Sequence, residues 1–145
     1  MNKVFLLTLA AACALAGCQK KREARPCQTG ILLGTTCDNG YLFQVDTVAH
    51  PGFGKDLEFR GDAGPALAGP GLPQRVYANV IIVYGTPYQQ ALYSSLRRGQ
   101  KVYMNLQPGP TEIPLYCPPT AIFYDAPKFE LTDYSPDSCP EFMPD

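Results

Sequence analysis

Hydrophobic and polar positions alternate along most of this chain, and the alternation predicts strands. Tyr41, Phe43 and Val45 share one face of a strand over 40–46. Asp56–Arg60 alternates polar and apolar and ends at Gly61. Arg75–Tyr84 carries the continuous β-branched run Val80-Ile81-Ile82-Val83, which predicts a central strand buried on both faces. Lys101–Gln107 places Val102, Met104 and Leu106 inward, and Lys128–Tyr134 does the same with Phe129 and Leu131. Glu112–Cys117 and Ala121–Tyr124 are further short-strand candidates.

The period changes once. Thr86 reads as an N-cap and Pro87 as the first helical residue, with Gln89 placed to close a capping box. Tyr88, Ala91, Leu92 and Leu96 follow at helical spacing, Arg97 and Arg98 fall in the last turn, and Gly99 stops the helix. Between the second and third strands, Gly61–Pro73 holds four Gly and three Pro and reads as a long structureless loop.

The N-terminus obeys another pattern. One charge at Lys3 precedes thirteen almost wholly apolar residues, Val4–Ala16. That run is too short to span a bilayer and suits the core of a signal peptide. It closes in Leu15-Ala16-Gly17-Cys18, which resembles the lipobox of bacterial lipoproteins. The resemblance implies a diacylglyceryl group on the Cys18 thiol, cleavage before Cys18, and palmitate-type acylation of the new N-terminus. The expected organisation is a signal peptide over 1–17, a lipidated basic tether and lead-in loop over 18–36, and one disulfide-linked β domain over 37–145. Gln19 stands where an Asp would favour inner-membrane retention in enterobacterial lipoproteins, so the outer membrane is expected. No other run is long enough for a transmembrane helix.

Charge then separates into two parts. Residues 20–25 (KKREAR) hold four basic groups and one acid, a stretch able to lie on anionic headgroups or to serve as a solvated tether. Residues 26–145 hold seven basic and twelve acidic groups, a balance of −5, which speaks against a nucleic-acid partner. Besides Cys13 and Cys18, the cysteines are Cys27, Cys37, Cys117 and Cys139. In an exported domain they are expected to form two disulfides. Their spacing leaves three pairings open, and no C-x-x-C or His partner supports a metal site.

The order strand, strand, strand, helix, strand, strand resembles the OB-fold over about residues 40–134, with Leu96–Val102 similar to its usual join between helix and fourth strand. The expected fold is therefore a small OB-like barrel of five or six strands, with a β-sandwich as the alternative. The resemblance brings Cys37 towards the segment carrying Cys117, favouring the nested pairs Cys37–Cys117 and Cys27–Cys139. It also implies a ligand face on strands two and three and their loops, with His50, Phe53, Phe59, Arg60, Tyr77, Asn79 and Tyr116 as candidates. The signal, the Cys placement and the terminal Ser138-Cys139-Pro140 are further similar to short lipoproteins of Bacteroidetes whose role is unknown.

Catalytic chemistry is sparse. His50 is the one His and lies outside any H-x-x-H motif, and no Ser sits in G-x-S-x-G. Asp56 and Glu58 share a strand face but match a solvated edge, and no phosphate loop or Ca²⁺ loop is present. No enzyme activity, cofactor or metal is expected. Aromatic and basic residues interleave at Tyr84, Tyr88, Tyr93, Arg97, Arg98, Lys101 and Tyr103, a pattern able to stack sugars. The plainer reading gives the tyrosines to rim packing and the Arg pair to the helix end. Taken together, the expectation is a lipid-anchored envelope module that binds or scaffolds another envelope protein or glycan. The rival readings are an oligosaccharide- or peptide-binding lipoprotein and an inhibitor or immunity-type lipoprotein.

Overall fold

A computed structural model describes residues 27–49, 51–85, 95–109 and 117–140. They form six strands: β1 (Gln28–Thr35), β2 (Tyr41–Val45), β3 (Lys55–Phe59), β4 (Arg75–Tyr84), β5 (Lys101–Pro108) and β6 (Lys128–Ser135). Five of them close a barrel. β1 pairs with β2, β2 with β4, β4 with β6, β6 with β5, and β5 returns to β1. All these pairings are antiparallel except β4 with β6. β3 is an extra strand. It lies along the first half of β4, on the edge that β6 occupies further on, because Val80 pairs with both Lys55 and Gln44.

Five of the expected strands fall within a residue or so of those observed, and one observed strand was not expected. Residues 28–35, expected as part of the lead-in loop, form β1, which sits between β2 and β5. Its two glycines hide it. A Cβ on Gly30 would fall 3.0 Å from Met104 Cε, and one on Gly34 would fall 2.7 Å from both Asp62 Oδ1 and the Phe59 ring. Close packing thus requires residues that read as loop in the sequence. Gly34→Ala is expected to cost about 1–3 kcal/mol through this overlap, measurable as a lowered midpoint in urea.

Two other expectations need correcting. Ala121–Tyr124 forms no strand. No helix occurs among the described residues; 86–94 lie outside them, and 95–98 form a turn with a bridge from Arg97 to Ala68 instead of a last helical turn. Gly99, at φ +80, does end this segment in the left-handed conformation. The candidate strand 112–117 lies outside the described residues apart from Cys117.

The alternation predicts one buried face, and the protein buries two. The inner face fills the barrel with Leu32, Phe43, Val45, Ile81, Val83, Val102, Met104 and Leu131, and Leu96 packs with them. The outer face of β2, β3 and β4 carries a second core of Leu42, Leu57, Phe59, Tyr77, Val80, Ile82 and Tyr84, together with Leu33 from β1. Leu72 and Tyr124, from the two long connections, pack against it. Val80–Val83 is therefore buried throughout, as its β-branched run requires.

The Gly/Pro-rich connection after β3 is held in place by side chains. Asp62 accepts a hydrogen bond from the Thr35 amide (3.2 Å) and forms an ion pair with Arg98, both side chains being almost buried. Thr35 Oγ1 donates to the Pro65 carbonyl (2.9 Å), and the Arg98 amide donates to that of Ala68 (2.9 Å). Disulfides join Cys27 to Cys139 and Cys37 to Cys117, with Cα separations of 5.8 and 5.4 Å. Cys27 immediately precedes β1 and Cys37 follows it, so the two bonds fasten opposite ends of one central strand.

Candidate functional site

A concavity lies on the outer surface of β1, β2 and β5. It has a volume of about 350 Å³ and is lined by Thr29, Gly30, Ile31, Gln44, Val45, Asp46, Thr47 and Lys101. Strand register explains the set. Thr29 lies opposite Tyr103, and Ile31 opposite both Lys101 and Gln44, so their side chains form adjacent rows on one face. Ile31 is 42% exposed, and Lys101 Nζ lies 5.0 Å from the centre of the Tyr103 ring. The groove thus combines an apolar floor, a cation, a carboxylate and hydroxyl and amide groups. That mixture suits recognition of a polar chain with apolar substituents.

At the groove's end Asp46 shapes the turn. Its Oδ1 accepts from the amides of Val48 (2.8 Å) and Ala49 (3.4 Å), while the Asp46 amide donates to the Thr29 carbonyl (3.0 Å).

The candidates for a face on strands two and three are placed differently. Phe59 and Tyr77 are 2% and 4% exposed and belong to the second core, their rings meeting edge to face at 6.0 Å. Asn79 is also buried, at φ +56. Its Oδ1 accepts from the Gly54 amide and its Nδ2 donates to the Val45 carbonyl, so it holds the β2–β3 loop against the barrel. Phe53 stacks on Phe129 at 4.6 Å and packs on the barrel core. Arg60 is exposed and pairs with Glu58. His50 and Tyr116 lie outside the described residues, as does Cys18. The described ones among these side chains form no common open site.

The second candidate patch divides too. Lys101 and Tyr103 come together at the groove. Arg98 is committed to Asp62, and Arg97 is exposed beside the bridge to Ala68. Tyr88 and Tyr93 lie outside the described residues. Tyr84 is buried in the second core and donates to Asp38 Oδ2 (2.9 Å), and Asp38 Oδ1 accepts from the Thr36 hydroxyl. This fixes the β1–β2 turn beside the Cys37–Cys117 bond. The site residues missed by the sequence reading are Thr29, Ile31, Gln44, Asp46 and Thr47. The pairing of β1 with β2 is what assembles them, and a register signal of that kind is visible only once 28–35 is read as a strand.

Burial and then the Asp38 carboxylate push the Tyr84 phenol far above the usual tyrosine range; burial also raises Tyr41 and Tyr124. A raised folded pKa favours the neutral ring. Its stabilisation is complete below the unfolded value near pH 10 and is lost as pH rises through that value towards the folded ones. Absorbance titration is expected to show tyrosines that ionise late, and unfolding midpoints should fall steeply above about pH 10. A simple titration of every tyrosine near the free value, with flat alkaline stability, would contradict this.

Among the described residues no three His, Cys, Asp or Glu side chains gather as a metal site. The chain matches no protein-family model and no curated protein.

Proposed function

We propose that the protein is a lipid-anchored extracytoplasmic module that binds another envelope molecule through the β1–β2–β5 groove, without catalysing a reaction on it. The observation that carries this reading is where the protein leaves a concave surface open. The barrel circuit β1-β2-β4-β6-β5, with one parallel pair, supports an OB-like barrel into which β3 is inserted. In such barrels the outer face of the second and third barrel strands, here β2 and β4, is the usual ligand platform. Here that platform is occupied by the second core. Recognition therefore moves to the neighbouring groove, where Ile31, Gln44, Asp46 and Lys101 remain accessible. Two disulfides support an oxidising compartment, and Leu15–Cys18 supports a lipid anchor on its outer side. The envelope partner is a protein segment or a glycan, and the outer membrane is the proposed site.

The test is photocrosslinking on intact cells from a reactive residue placed at Ile31. A discrete envelope adduct is expected from position 31, and Lys101→Glu should weaken it at least severalfold, since a desolvated charge contact is worth about 1.5–3 kcal/mol. Equal labelling from position 31 and from an exposed position on β3, such as Glu58, would overturn the reading.

A further inference from the structure

Val48 is the most exposed large apolar residue of the described chain, at 90% exposure. Its position gives it a partner. The Asp46 amide bonds to Thr29, two residues after Cys27, so the β2–β3 turn that carries Val48 lies at the Cys27 end of the barrel. Cys27 is also where the basic segment arrives from Cys18. Eight residues separate the two cysteines, and a chain of that length reaches no more than about 30 Å.

We propose that the Val48 turn is a membrane-docking tip that seats this end of the barrel on the bilayer bearing the Cys18 lipid. The inference rests on the lipid-anchor reading and goes beyond it by assigning a face and an orientation. An apolar side chain enters the headgroup layer at low cost only if the backbone around it is already satisfied, because unpaired amides resist leaving water. Here the amides of Val48 and Ala49 are both bonded to Asp46 Oδ1. The turn is thus preformed, with these two amides satisfied within it and its valine exposed. Asp133 and Asp137 lie on the approach to Cys139, which is joined to Cys27, and oppose an anionic surface. The contact is therefore carried by the apolar tip, and it persists on zwitterionic lipid. In this orientation the groove opens beside the bilayer, and its ligand is a molecule held at the membrane surface.

The chain contains no Trp, so a single Trp reports position without background. Full-length lipidated Val48→Trp and Phe123→Trp proteins are reconstituted into phosphatidylcholine vesicles containing brominated acyl chains. Phe123 is also exposed. It lies on the connection that the Cys37–Cys117 bond fastens to the far end of β1. Emission from the Val48→Trp protein is expected to shift to the blue and fall about twofold, as for a side chain seated about 5–10 Å into the interface. Emission from the Phe123→Trp protein is expected to stay unchanged. Co-flotation with the vesicles is scored separately. Protein that floats with equal emission from the two positions overturns the docking alone. Protein that does not float overturns the anchor and the docking with it.

Discussion

Reducing both disulfides is expected to remove most of the stability of this domain. The Cys27–Cys139 bond closes a separation of 112 residues, and Cys37–Cys117 closes one of 80 within it. By the chain-entropy treatment the inner bond contributes about 4–5 kcal/mol and the outer, acting on the shortened remainder, about 3–4 kcal/mol. Native domains hold about 5–15 kcal/mol in all. The bonds act on the slowest part of the topology. β1 must meet β5, and β4 must meet β6, across long stretches of chain before the barrel closes. With reductant, the thermal midpoint should fall by at least about 20 °C, at roughly 4 °C per kcal/mol for a domain of this size. Cys37→Ser/Cys117→Ser should show a little under half of that loss, because the remaining bond then closes the full 112-residue loop. A reduced protein that melts within a few degrees of the oxidised one would show that packing alone holds the barrel.

The second large effect is expected at Arg98. Its guanidinium and the Asp62 carboxylate form an ion pair with side chains only 12% and 11% exposed. Removing one partner strands a nearly buried charge, which costs about 3–5 kcal/mol. Arg98→Ala should therefore lower the urea midpoint by more than any exposed charge change, such as Lys55→Ala at the exposed pair with Asp125. Arg98 Nε has no hydrogen-bond partner among the described residues, so the pair is itself incompletely satisfied. Arg98→Met with Asp62→Leu should recover much of the loss, because an apolar pair needs no compensation in this site. The effect would also appear as faster proteolysis at Gly61–Pro73, the connection that Asp62 and Arg98 fasten. Equal midpoints for Arg98→Ala and Lys55→Ala would contradict the clamp.

Arg98 also shows where the sequence stops being legible. In a linear reading an Arg pair before Gly99 belongs to a helix end, and nothing within a few residues suggests Asp62, 36 positions away. Strand positions on β5 and β6 were readable because each carries its own inward alternation, and those on β4 because of its continuous β-branched run. β1 was not, since Gly30 and Gly34, required by their neighbours' close approach, weaken its strand signal. The second core was hidden for a related reason. Leu42, Leu57 and Tyr77 look like ordinary strand residues, and what buries the outer face is Leu72 and Tyr124 from segments without regular structure. The groove depends on both omissions. Lys101 and Tyr103 were noticed as a basic–aromatic pair, but their true neighbours, Thr29 and Ile31, come from the unread strand. The nested disulfide pairing, by contrast, followed from the OB resemblance and is the pairing observed.

The most direct test of the account is intact and peptide mass spectrometry of the protein extracted from cell membranes under thiol-blocking conditions. The account predicts a chain beginning at Cys18 and carrying a mass increment for acyl chains. It also predicts non-reduced peptides linking Cys27 to Cys139 and Cys37 to Cys117. An unmodified chain that retains residues 1–17, or blocked free thiols at those four cysteines, would contradict it.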